Sequence, residues 1–247
     1  MSTIVNYLPI ASTVLMFIFA ASVLQRYVVR RNPAFLFWGI GLLMFGIGSF
    51  AEVYLNIDWS RLVFISWYLF GAILNPAWIG QGTLYLLVKK PWVHVVTGIV
   101  VIASIAATIM MFTIPIHESA FQHGIAISQQ YRTRGIIPAA IFKSEVLAPT
   151  IVFGTYGLIT LVGGALYSAF LFWRKRVLPN RVIGNIMIAV GALSVAFTSV
   201  LTGLGLGQYL YVGELIAAVF MYSGFLVAAG PKSEPVIAEQ PAAATAG

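Results

Sequence analysis

The stretch that decides the fold runs from Trp67 to Val88 and reads WYLFGAILNPAWIGQGTLYLLV. About 20 apolar residues cross the hydrocarbon core of a bilayer as one helix, and this stretch is long enough. Its middle nevertheless carries Asn75, Pro76, Gly80, Gln81 and Gly82. A bare carboxamide or a broken backbone is costly against lipid. The stretch is therefore expected to face protein or water at its centre, with the other spans wrapped around it. The proline frees a carbonyl about one turn upstream, which this reading assigns to Gly71. That carbonyl, with Asn75 and Gln81, would line a polar pocket walled by Trp67, Trp78 and Tyr85. The rival reading is a proline kink whose polar groups satisfy one another.

The rest of the chain supports a membrane setting. It is 60% hydrophobic and only 9% charged, against about 25% charged for a soluble domain. The net charge of +7 sits in short clusters between apolar runs, so it reads as topology rather than as a nucleic-acid surface. There is no cysteine, which excludes disulfides, thiolate metal sites and cysteine nucleophiles. The N-terminus lacks the basic region of a cleavable signal peptide. The expected class is all-α, a polytopic bundle of seven transmembrane helices forming one domain over residues 1–229. A disordered cytoplasmic tail is expected over 230–247, and a long outer loop at about 116–148.

The seven spans are expected near Leu8–Val29, Ala34–Leu55, Arg61 to Lys89-Lys90, Trp92–Ile114, Pro149–Trp173, Val182–Leu201 and Tyr209–Ala229. Gly41 and Gly48 share one face of the second span, and Glu52 continues it, so Glu52 should point at a partner helix. The fourth span has no internal charge and suits packing or lipid contact. The loop from His117 to Val146 is long enough to be functional, with room for short interfacial helices. Gly203, Gly205 and Gly207 read as a flexible link. With the first basic cluster inside, ten Lys and Arg fall inside and four outside, giving an outer N-terminus and an inner C-terminus.

Shifting the chain by 145 residues lays Gly39 on Gly184, Gly46 on Gly191, Ser49 on Ser194 and Ala51 on Ala196. This predicts a parallel three-plus-one-plus-three repeat, with a site where the two units meet. In layout alone the plan resembles PQ-loop and sugar transporters, and the microbial rhodopsins. Neither likeness extends to the residues. The last span has no lysine for a retinal Schiff base and carries Glu214 instead, while Asn75-Pro76 is not Pro-Gln. No family is assigned on this basis.

The candidate site residues are the pocket group Asn75, Pro76, Gln81, Trp67, Trp78 and Tyr85, and two coupling carboxylates, Glu52 and Glu214. The two acids are expected in one depth layer near the outer face, around a vestibule with Arg61 nearby. No catalytic set is seen: there is no Ser-His pair at one depth, no paired aspartates in the spans, and no metal spacing. His117, Glu118 and His123 lack the four-residue histidine spacing of a zinc helix. His94 has no partner histidine for haem. No cofactor is therefore expected. The expected function is translocation of a small molecule or ion, with a ligand-binding sensor or accessory subunit as the alternative and an intramembrane enzyme last. Expected partners are the lipid bilayer, the small molecule or ion, and another membrane protein, without nucleic acid. The expected location is the plasma membrane.

Overall fold

A computed structural model describes residues 7–176 and 178–230 of the protein. Beyond Gly230, the expected tail, Lys232 included, lies outside the described residues. Seven helices are long and apolar enough to cross a membrane: α1 (Leu8–Arg30), α2 (Pro33–Leu55), α3 (Arg61–Leu87), α4 (Trp92–Thr113), α5 (Ala139–Arg174), α6 (Pro179–Gly203) and α7 (Gly207–Ala229). No strand occurs among the described residues. The protein is a multi-pass integral membrane protein built as a seven-helix bundle. Alternating spans leave one end of the bundle carrying the 114–138 loop and the other the basic clusters. We call these the loop end and the basic end.

Local chemistry sets the helix ends. Arg31 closes α1 in a left-handed conformation, φ 50°, with its N–H donating to Tyr27 O at 2.7 Å. Asn32 caps α2, its Oδ1 accepting the Ala34 N–H at 3.0 Å, and Pro33 takes the first helical position, where no donor is needed.

The third span turns inward, as its amides require. α2 and α3 are the most enclosed spans, with more than half of each apolar core buried. They touch backbone to backbone: a methyl on Gly48 would lie 2.7 Å from Gly71 Cα, and one on Gly82 would lie 2.7 Å from Ala34 O. Only glycine allows that approach. A second such seam joins α6 and α7, where a methyl on Gly184 would meet Gly224 O at 2.5 Å. Gly39 and Gly46 face Leu24 and Phe17 of α1, whereas their counterparts in the 145-residue shift, Gly184 and Gly191, face α7. α4 is peripheral, with Ile99, Ile102, Ile105 and Ile109 all exposed on a face that suits lipid.

The backbone of α3 is π-helical from Trp67 to Leu74, immediately before Asn75-Pro76. An α-helical register would have left the Ala72 carbonyl without a donor, four residues before the proline. The π register, bonding five residues back, moves the vacancy to Gly71. Asn75 then supplies the missing donor, its Nδ2 reaching Gly71 O at 2.6 Å and Phe70 O at 2.9 Å.

α5 begins at Ala139, about ten residues before the expected Pro149. Its first turns include a π segment, Phe142–Val146, on which Lys143, Ser144 and Glu145 face outward. Pro149 falls within the opening turn of the α-helical segment Leu147–Gly157, close to where a missing N–H is tolerated.

Candidate functional site: a buried acid pair under the loop

At the loop end, α2 finishes and α3, α5 and α7 begin. Glu52 lies one turn from the end of α2, and Glu214 in the second turn of α7. Both side chains are buried, Glu52 completely. Their carboxyls are within hydrogen-bonding reach of each other. Trp67 donates its indole N–H to Glu52 Oε1 at 2.9 Å, and Ser49 donates its hydroxyl to Glu214 Oε2 at 3.4 Å. Glu52 Oε2 receives no donor, and the Tyr211 hydroxyl, fully buried beside the pair, has no partner in good geometry. No lysine, arginine or histidine among the described residues acts on either carboxyl. Arg61, expected nearby, instead extends toward Ile114 O at 3.5 Å.

The spacing explains the cluster. Ser49 and Glu52 are three apart on α2, and Tyr211 and Glu214 are three apart on α7. On a helix that spacing puts both members on one face. Each helix thus presents a hydroxyl and an acid to the same point.

The loop covers this point. Ile127, Gln130, Ile136 and Ile137 are fully buried, and Ser128 and Tyr131 nearly so. Tyr131 packs edge-on to Trp67 and stands 5.7 Å from the Tyr68 ring. Burial pushes the Tyr131 phenol above its ordinary range, opposed by the adjacent Arg132 guanidinium. Gln130 braces the loop internally: its Oε1 accepts the Gln122 N–H at 2.8 Å, and its Nε2 donates to Ile125 O at 2.7 Å. The loop is also latched to α6 and α7. Ser128 donates to Gly207 O at 3.0 Å, and Arg132 to Gly203 O at 3.3 Å. Arg132 also lies 4.6 Å over the Phe142 ring. The glycines read as a flexible link therefore have a packing role. Ser128 backbone occupies the place of a Gly207 side chain, and Gly205 turns at φ +91°.

The pocket residues do not converge. Asn75 is turned back on its own helix. Gln81 points toward α4 and α5, donating to Thr97 Oγ1 at 2.7 Å and accepting the Tyr156 hydroxyl. Tyr85 bonds Thr97 at 2.7 Å and His94 Nδ1 at 3.0 Å. Since Thr97 donates to Val93 O at 2.9 Å, the order of donors runs from His94 Nδ1–H to Tyr85 to Thr97. Trp78 donates to Ser104 Oγ at 3.1 Å, and Trp67 belongs to the acid pair. The polar groups of α3 thus divide between a loop-end cluster and a network toward the basic end.

Among the described residues no three potential metal ligands of the His, Asp and Glu type gather. His117 and His123 lie on different turns of the loop, His123 edge-on to Phe121 at 5.2 Å.

The fold and the site define a class: a seven-helix membrane protein with an uncompensated pair of acids buried under an extramembrane loop. No known protein family, curated protein or solved structure matches the chain, so function is argued from the site alone.

Proposed function

We propose that the protein moves a proton or a proton-coupled small solute across the plasma membrane, with Glu52 and Glu214 as the coupling pair. The supporting observation is their contact without a counter-cation. Two carboxyls in contact in apolar surroundings cannot both ionise at tolerable cost, so they hold at least one proton between them. The groups facing them are Trp67 from α3, Ser49 from α2 and Tyr211 from α7, all neutral. Loss of the proton would set like charges against each other and favour an arrangement that admits water or a cation. The pair joins α2, among the first three helices, to α7, among the last three. The N-terminus is taken to be outside, which places the pair close to the outer face and Gln81 deeper toward the inner one.

Purified protein in sealed liposomes under a pH gradient, followed with a luminal pH dye, tests this reading. Faster proton equilibration than in protein-free liposomes is expected, and its loss in Glu52→Gln and in Glu214→Gln. Flux equal to that of empty liposomes, or flux untouched by both variants, removes the pair from the mechanism.

The closed loop favours a second reading, a sensor or accessory subunit in which a ligand or membrane partner engages the loop and exposes the pair. A stable partner retained in mild detergent, together with absent flux, would select it.

A further inference from the structure

The α5–α6 turn, at the basic end, forms a groove of about 590 Å³. One wall is apolar, with Trp173, Val182 and Ile183, and the rim carries Arg174 and Arg176. Arg181 lies beside it, its guanidinium 5.4 Å over the Phe172 ring. Trp173 and Ile183 are largely exposed. Pro179, which opens α6, also lines the groove. No side chain caps that helix, so its first turn keeps partial positive charge, although Pro179 has no N–H and the Arg181 N–H already donates to Leu178 O at 2.9 Å.

The five acids among the described residues, Glu52, Asp58, Glu118, Glu145 and Glu214, all belong to the loop end. None of them can neutralise this rim. Arg174 and Arg176 line the groove with Arg181 beside it, and Trp173, Val182 and Ile183 give it an apolar wall along α5 and α6. A free anion would use the first half of that arrangement only. An amphiphile with a phosphate head and acyl chains uses both.

We propose that this groove is a binding site for an anionic phospholipid. Its phosphodiester lies between Arg174 and Arg176 at the start of α6, and its chains lie against Trp173 and Ile183. The site is separate from the acid pair, at the opposite end of the bundle.

Trp173 makes the site measurable, because brominated acyl chains quench indole fluorescence on contact. Full-length protein in neutral detergent is titrated with brominated phosphatidylglycerol or brominated phosphatidylcholine, and the Trp173→Phe variant identifies the signal from this residue. Wild-type protein should be quenched at much lower mole fractions of the anionic lipid. Arg174→Gln/Arg176→Gln should weaken that preference roughly thirtyfold, at about a factor of five per basic residue. Lys89→Gln/Lys90→Gln, which removes equal charge at the same end of the bundle, should leave it intact. Inorganic phosphate should not compete. The proposal fails if the two lipids quench wild-type protein equally, or if the arginine variant keeps its preference. It fails equally if the lysine variant loses as much, which would mean diffuse attraction, or if inorganic phosphate displaces the lipid.

Discussion

The ring of Tyr131 stands edge-on to that of Trp67, with centroids 5.3 Å apart and planes at 71°. Trp67 at the same time holds Glu52 through its indole N–H. One indole thus connects the extramembrane loop to the buried acid. Trp67→Phe keeps the ring contact and removes the donor. It should destabilise the protein by about 1–3 kcal/mol, the cost of leaving a buried acceptor unsatisfied, and thermal unfolding in detergent would read it. An unchanged midpoint would show that Glu52 is held by Glu214 alone.

Loop closure should depend on Gly207. Gly207→Ala places a methyl where Ser128 backbone now lies, and Ser128→Ala removes the bond to Gly207 O. Each should raise tryptic cleavage at Arg132 and Arg134 about fivefold if about 1 kcal/mol of latch is lost. Cleavage at the wild-type rate in both would mean that the loop is held elsewhere.

Tyr131 gives the loop a pH dependence of known sign. Burial raises its phenol above the ordinary range. A raised acid contributes stability that is present below the unfolded tyrosine value of about 10 and lost as pH climbs through the higher folded value. Tryptic cleavage of the loop should therefore rise above about pH 10 in wild-type protein relative to Tyr131→Phe. Parallel rates in the two proteins would contradict this.

The repair of the α3 kink predicts non-additive mutants. Asn75→Leu alone strips the donor from Gly71 O and Phe70 O and should cost about 1–3 kcal/mol. Adding Pro76→Ala restores a backbone N–H and should recover part of the loss. Additive unfolding free energies would show that Asn75 has a different role, such as binding a ligand.

Close helix approach sets a sharp contrast between glycines. Gly48→Ala should destabilise by about 1–3 kcal/mol through overpacking, since its methyl would press on Gly71 Cα. Gly98→Ala, in α4 with nothing within 4 Å of its methyl, should be neutral or stabilising by about 0.5–1 kcal/mol. Equal effects would mean that the α2–α3 seam relaxes freely.

The spans were legible because length and hydropathy fix them, and Glu52 was legible as inward because its face carries Gly41 and Gly48. The start of α5 was hidden by Lys143, Ser144 and Glu145, which interrupt the apolar run although their helical neighbours are buried, and by Pro149, which looks like a first helical residue. The π register of α3 has no marker in residue types. It decides that Asn75 serves Gly71. The acid pair was half legible. Each carboxylate stood out, but their meeting depends on how α2 and α7 converge. The Ser49–Glu52 and Tyr211–Glu214 spacings were in plain view and would have strengthened the pairing. The loop's buried Ile127, Ile136 and Ile137 carried too little periodicity to declare that it folds inward.

The two glycine seams bear on how the molecule can move. Backbones pressed together resist sliding, because each row of side chains is locked in the groove of the other. α2 with α3 makes one stiff plank, and α6 with α7 makes another. Glu52 belongs to the first and Glu214 to the second. Parting the two carboxyls is therefore a swing of plank against plank rather than the bending of any one rod. The two planks also meet through α1, whose Phe19 packs against Trp38 of α2 and Phe225 of α7 at 6.2 and 5.2 Å. Charge at one end of the molecule would thus be read out as an angle between its halves.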